Sequence, residues 1–281
     1  MIHQFNHRFG TYAGQTQEGA NQGKLPELDD DDALTDPHKV SEARYYVNRS
    51  EVDERISGRW SREWLLGWRN ITNTTNARTV IAAVLPRVAV GHSMPLLFSD
   101  QPPARVAMLY ANLCSFVLDY AARQKVGGTH LKYHTFKQLP ILPPDTYDRP
   151  CPWSPGERLE DWLLPRVLEL TVTAWDLVPF ARDCAGVEAP YRWDRARREQ
   201  LRAELDAAFF HLYGLTRADV AWVLESFPIV RKNDERQHGR AVTFERVLDE
   251  FDAMATAIRR GVAFASPLRP AAGDASMRHR P

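Results

Sequence analysis

The chain has 281 residues, 44% of them hydrophobic, and a formal net charge of zero. That length supports one or two domains with a sizeable core, and the balanced charge excludes a nucleic-acid binder acting through overall basicity. Cys114, Cys151 and Cys184 form no CxxC pair, which speaks against structural zinc and fits a reducing, cytoplasmic setting.

The chain begins Met1-Ile2-His3-Gln4-Phe5-Asn6-His7-Arg8-Phe9. This mixture of aromatic and basic residues is not a signal peptide. It reads as the inside of a domain rather than a beginning; a tail that binds something is the other reading. Residues 10–24 read as loop, and the acidic run at residues 29–32 as a solvated loop without calcium. Residues 44–47 are expected to form a short strand, and Ser50 to cap a helix over residues 51–56. Trp60, Trp64 and Trp68 stand four apart, so on a helix they would share one face. Core packing is the plain reading, base stacking the alternative. A buried strand opens near Trp64. Thr79-Val80-Ile81-Ala82-Ala83-Val84-Leu85-Pro86 reads as a central strand ended by proline. Residues 94–98 offer another.

Residues 104–126 read as one long helix, with Val106, Leu109, Leu113, Phe116, Val117 and Tyr120 on its apolar stripe. Gly127-Gly128 stops it. Residues 129–139 alternate in character, and Leu139-Pro140-Ile141-Leu142-Pro143-Pro144 is extended. Residues 145–157 read as a linker. Helices follow over residues 159–180, 195–213 with Asp194 as cap, 217–225 with Thr216 as cap, and 244–260. Residues 261–281 lack periodicity and are expected to be disordered. No run of about eighteen apolar residues exists, so no membrane partner is expected.

The chemistry concentrates in one basic segment. Arg123, Lys125, Lys132 and Lys137 are joined by His130 and His134, and no acid interrupts them. Gly127 and Gly128 let backbone amides approach a partner, and Tyr133 and Phe136 interleave. Cations and amides hold phosphate, and aromatic rings stack on bases. A solvated basic loop is the plain alternative. Upstream, Arg69, Arg78 and Arg87 recur at equal spacing, with Asn70, Asn73 and Asn76 between; Arg suits guanine edges and Asn adenine edges, although asparagine also caps turns. Catalysis is poorly marked. His211 reads as a core histidine, and Asp176 and Asp183 lack further partners on their helix. No GxSxG, HExxH or P-loop occurs, and no acid stands two positions before a lysine. No catalytic or metal-binding residues are therefore assigned.

Several blocks together resemble a known family. They are residues 1–9; Trp68-Arg69-Asn70-Ile71-Thr72-Asn73-Thr74-Thr75-Asn76-Ala77-Arg78-Thr79; Leu118-Asp119-Tyr120-Ala121-Ala122-Arg123-Gln124-Lys125-Val126-Gly127-Gly128; residues 139–144; and Ala207-Ala208-Phe209-Phe210-His211-Leu212-Tyr213-Gly214-Leu215. In this order, over roughly residues 1–255, the chain resembles the C-terminal part of large bacterial adenine-specific DNA methyltransferases. These are the fused restriction–modification enzymes of the type IIG kind and related phage-defence methylases. The resemblance implies a target-recognition domain that chooses the DNA sequence, followed by a helical extension. It also implies a bacterial cytoplasmic protein whose partner is double-stranded DNA, either as a truncated gene product or as one half of a split enzyme that joins a separate methyltransferase half.

The chain departs from that family in three ways. It has no Asn-Pro-Pro-aromatic catalytic loop and no glycine-rich cofactor loop, so no cofactor is expected on this chain. S-adenosylmethionine is expected only on the missing catalytic domain, and Met1 reads as an internal methionine of a longer ancestor. The usual Asn-Glu-Arg-Thr is here Asn76-Ala77-Arg78-Thr79, and the lost carboxylate is expected to weaken a local salt bridge. The expected fold class is α+β: a mixed α/β target-recognition domain over residues 1–144, a linker, a helical region over 158–260 and a disordered tail. The expected DNA-binding residues are Asn73, Asn76, Arg78, Thr79, Arg87, Arg123, Lys125, Gly127, Gly128, His130, Lys132 and Lys137. Alone, the chain is expected not to transfer methyl groups. The competing readings are a helical interaction scaffold without DNA binding and a nuclease with an unrecognised site.

Overall fold

The computed structural model describes residues 2–22, 24, 26–28 and 31–280. Its elements in chain order are α1 (Gln17–Asn21), α2 (Asp31–Thr35), α3 (Arg49–Ile56), β1 (Trp64–Trp68), β2 (Ala82–Pro86), β3 (Leu96–Leu97), α4 (Pro103–Leu113) and α5 (Phe116–Arg123). After these come α6 (Tyr133–Phe136), α7 (Leu159–Thr171), α8 (Val178–Ala185), α9 (Arg195–Leu212), α10 (Arg217–Glu225), α11 (Pro228–His238) and α12 (Val242–Arg260). A small antiparallel sheet within a mostly helical chain is an α+β fold. The order is β2–β1–β3, with Trp64 opposite Pro86, Trp68 opposite Ala82 and Gly67 opposite Leu96. Every residue of β1 is buried. Gly67 is required there, since a Cβ would stand 2.6 Å from the Pro95 carbonyl oxygen.

One continuous cluster of buried apolar side chains runs from Ile2 to Leu268 and joins sheet and helices. The N-terminal block packs into it. Ile2 and Phe5 are buried, and the enclosed Arg8 guanidinium donates to the carbonyls of Leu34, Asp36, Lys39 and Thr173. Phe5 takes a left-handed φ of 56°, held by its N–H donating to the Tyr110 hydroxyl at 2.8 Å.

His3, in the same block, is driven down to about 3 by burial, with Arg202, Arg78 and Arg69 adding to the effect. A base with a depressed folded-state pKa adds stability above its unfolded pKa of 6.5 and loses it as pH falls from there toward 3. His3→Asn is therefore expected to gain about 2–3 kcal/mol on wild type between pH 7.5 and pH 4.5, read from urea unfolding at both values. The difference between the two proteins is the useful quantity, because Asp206, raised to about 6 by burial, changes stability in the opposite sense over this range.

The expected long helix over residues 104–126 is broken between α4 and α5. The Ser115 side chain caps α5 by accepting from the Leu118 N–H, and Asp206 of α9 accepts the Phe116 N–H at 2.7 Å. Donors that would have continued α4 are thus held by side chains. The expected helix over 159–180 ends at Thr171, and α8 follows a short 3-10 turn at Trp175–Leu177. Pro165 lies inside α7 rather than at its start; burial of Leu159, Trp162 and Leu163 before it holds the first turns in place. Residues 44–47 form no strand, and Asn48 rather than Ser50 occupies the N-cap position of α3. α1 interrupts the loop read at residues 10–24, with Thr16 as its cap. Of the acidic run, Asp29 and Asp30 lie outside the described residues, while Asp31 opens α2. α11 has no buried residue and carries no apolar pattern to announce it.

Two segments are ordered against expectation. Within residues 145–157, Tyr147, Cys151 and Trp153 are buried. The tail after α12 packs back: the Phe264 N–H donates to Trp153 O at 2.7 Å, and Arg197 of α9 donates to Pro270 O at 2.8 Å and Ala271 O at 3.0 Å. Gly273, at φ 78°, rests on Pro165, where a Cβ would come within 2.7 Å. The tail is held by backbone carbonyls caught by arginine, a device that leaves no hydrophobic period. No described helix is long and apolar enough to cross a membrane.

Candidate nucleic-acid interface

The two sequence blocks around residues 73–79 and 123–137 meet in space. Thr72 N–H donates to Thr129 O at 3.0 Å and Leu131 N–H to Asn70 O at 2.8 Å, so that Ile71 stands opposite His130. Arg123 closes the contact from below, donating to Asn76 O at 2.7 Å and Ala77 O at 3.1 Å. Trp68 anchors the far side of the loop. Its indole N–H donates to Leu131 O at 2.8 Å, and its ring stacks on Phe136 with centroids 4.0 Å apart. The three tryptophans thus lie on and before a strand; all are buried, which leaves none of them free to stack on a base.

Beneath this surface lies a charged hub. Asp119 is fully buried and receives Arg78 Nε at 2.8 Å, with Arg123 Nε 3.6 Å away. It also accepts the Thr79 N–H through both oxygens at 3.0 Å. Arg78 further donates to Cys114 O at 2.6 Å and lies over the Phe116 ring, while Arg123 donates to Ser226 O and lies over Phe227. Burial pulls Arg123 below its ordinary value, and Asp119 opposes that. The carboxylate missing at Ala77 does not leave Arg78 unpaired, because Asp119 serves it from α5.

The expected DNA-binding residues therefore divide. Arg78, Thr79 and Arg123 are turned inward and hold protein groups. Arg87 is also engaged, with Asp53 at 2.7 Å. Arg69 and Arg87 flank opposite ends of the β1–β2 pair, so the equal spacing of the arginines does not gather them. The Asn73 side chain closes its own turn by accepting from the Thr75 N–H and hydroxyl, and Asn76 offers its carbonyl to Arg123. Lys125, Gly127, Gly128, His130, Lys132 and Lys137 are exposed on one loop. Three of the chain's six lysines are in this loop, and no acid occurs between Gln124 and Pro144. None of the three is ion-paired among the described residues, and the N–H groups of Gly127, Gly128 and Thr129 donate to no protein acceptor. Thr74, Gly127, Gly128 and Ser226 line one open depression. Neither glycine has positive φ, and a Cβ at either would meet open space. Tyr133 is half-exposed beside the lysines, with its hydroxyl donating to Leu96 O.

This division follows the chemistry of the two cations. The planar guanidinium satisfies several buried carbonyls and a carboxylate at once, whereas lysine is a strongly hydrated point charge that stays in water. Asp119, Trp68 and Phe227 position the surface but do not stand out in the sequence as functional. The only local signal was an acid on the otherwise apolar face of a predicted helix.

The other candidates are structural. His211 stacks on Phe251 at 4.0 Å and reaches Phe251 O at 3.0 Å. Asp176 is engaged by His7, and Asp183 by Arg62 and Trp64. Burial raises all three thiols, Cys151 to about 12. Among the described residues no three His, Cys, Asp or Glu side chains are grouped to hold a metal ion. No family model matches the chain, and neither a curated protein nor a solved structure matches it.

Proposed function

We propose that this chain reads duplex DNA as the sequence-recognition part of an adenine-specific DNA methyltransferase or restriction–modification system. The supporting observation is the junction of the two resembling blocks into one surface, capped by an acid-free loop with Lys125, Lys132 and Lys137 unpaired. The lysines and free loop amides would hold phosphates, and the turn at residues 73–76 would lie beside them. The sequence holds no Asn-Pro-Pro-aromatic loop and no glycine-rich cofactor loop. The proposal therefore assigns S-adenosylmethionine and methyl transfer to a separate methyltransferase half. The test is binding of the purified chain to a duplex DNA library across a salt series. Affinity should fall linearly with log salt, by about 0.9 in log K per phosphate contact, with one motif enriched. No binding at low salt sinks the proposal.

A second reading, a helical interaction scaffold, draws on one specific observation: Arg78, Arg87 and Arg123 are occupied internally. On that reading the lysine loop is only a solvated loop, and the same salt series decides between the two.

A further inference from the structure

We propose that the cavity lined by the N-terminal segment, the start of α5 and helices α9, α11 and α12 is a binding site for a small organic anion, whose carboxylate or phosphate seats on Arg202. The site is separate from the basic loop and does not depend on DNA reading. Its volume is about 300 Å³, at the lower end of ordinary ligand pockets. Phe5, Phe116, Val230 and Val247 supply apolar wall, so the pocket suits an anion with an aromatic or branched body.

The cavity's charged groups are satisfied within the protein, with Arg202 as the exception. Arg78 is held by Asp119, and Arg246 by Glu199 at 2.9 Å. Asp234 accepts the Thr243 N–H at 2.7 Å, and Asp206 the Phe116 N–H at 2.7 Å. Arg202 donates once, from Nη2 to Gln4 O at 2.9 Å; its buried Nε meets no acceptor, and no described carboxylate lies within ion-pair distance. Asp206 stands one turn further along α9, but the cation acting on it most is Arg78. His3, kept neutral by burial and the surrounding arginines, adds no second positive charge there. A largely buried cation without an anion in contact is unfavourable unless a partner is supplied. Here the missing partner has a half-open cavity beside it.

The experiment follows the melting temperature of the whole chain in dilute buffer with added benzoate or inorganic phosphate. Wild type should rise by about 2–3 °C per tenfold increase once the site fills. A larger rise with benzoate identifies a carboxylate with an apolar body, and a larger rise with phosphate a phosphate ester. Arg202→Met should abolish the response and, without added anion, melt at or above wild type. Val230→Phe, which fills the cavity with Arg202 intact, should also abolish it, and Arg202→Lys should retain a weaker response. If wild type, Val230→Phe and Arg202→Lys all respond alike to both anions, or none responds, the proposal is overturned.

Discussion

Asp119→Asn is expected to destabilise the fold by about 3–5 kcal/mol, the cost of removing one partner from a buried ion pair. The carboxylate is fully enclosed and serves Arg78, Arg123 and the Thr79 N–H together. Asparagine offers one acceptor oxygen, and its amide turns two donors toward groups that are themselves donors. Two buried guanidinium groups then share one neutral oxygen. The loss is a large fraction of a typical domain's total stability, so urea unfolding should detect it without ambiguity. Because the hub also ties the residue 73–79 loop to α5, amide exchange in that loop should quicken together with exchange in α5. A loss below about 1 kcal/mol would mean that water reaches the hub and satisfies both guanidinium groups. The surface above would then be held chiefly by the Ile71–His130 pairing.

The α+β class was legible because its signals are local. The Asp194 and Thr216 caps and the glycine at Gly214 each carry their own geometry. The run read as a central strand over residues 79–86 is instead an edge strand confined to Ala82–Pro86, with β1 at the centre. What was not legible depends on distant partners. The break between α4 and α5 requires Asp206, ninety residues away in sequence, to take the Phe116 N–H. The ordering of the tail requires Arg197 to catch its carbonyls. The site shows the same limit. A count of cations marks an exposed basic loop, but it cannot separate an arginine that faces solvent from one that spans a buried carboxylate. Arg123 and Lys125 are two positions apart on the chain, yet one faces the hub and the other faces water. Asparagine misleads similarly, because Asn73 satisfies a turn with the same oxygen that would read a base.

Changing Lys125, Lys132 and Lys137 together to glutamine is expected to lower DNA affinity on the order of a hundredfold at moderate salt. It should also reduce the salt slope by about 2.7, since each phosphate contact contributes about 0.9. The three side chains are exposed and unpaired, so the variant should unfold within about 0.5 kcal/mol of wild type. That combination separates the loop from the hub, because Arg78 and Arg123 variants would lose binding only by losing the fold. Sequence preference should survive, as phosphate contacts position a protein on DNA without reading bases. The measurement is a titration against one enriched duplex and one scrambled duplex at four salt concentrations. An equal drop on both duplexes with a shallower slope is the expected result. An unchanged slope would mean that the lysines never meet phosphate, and the loop would then belong to the scaffold reading.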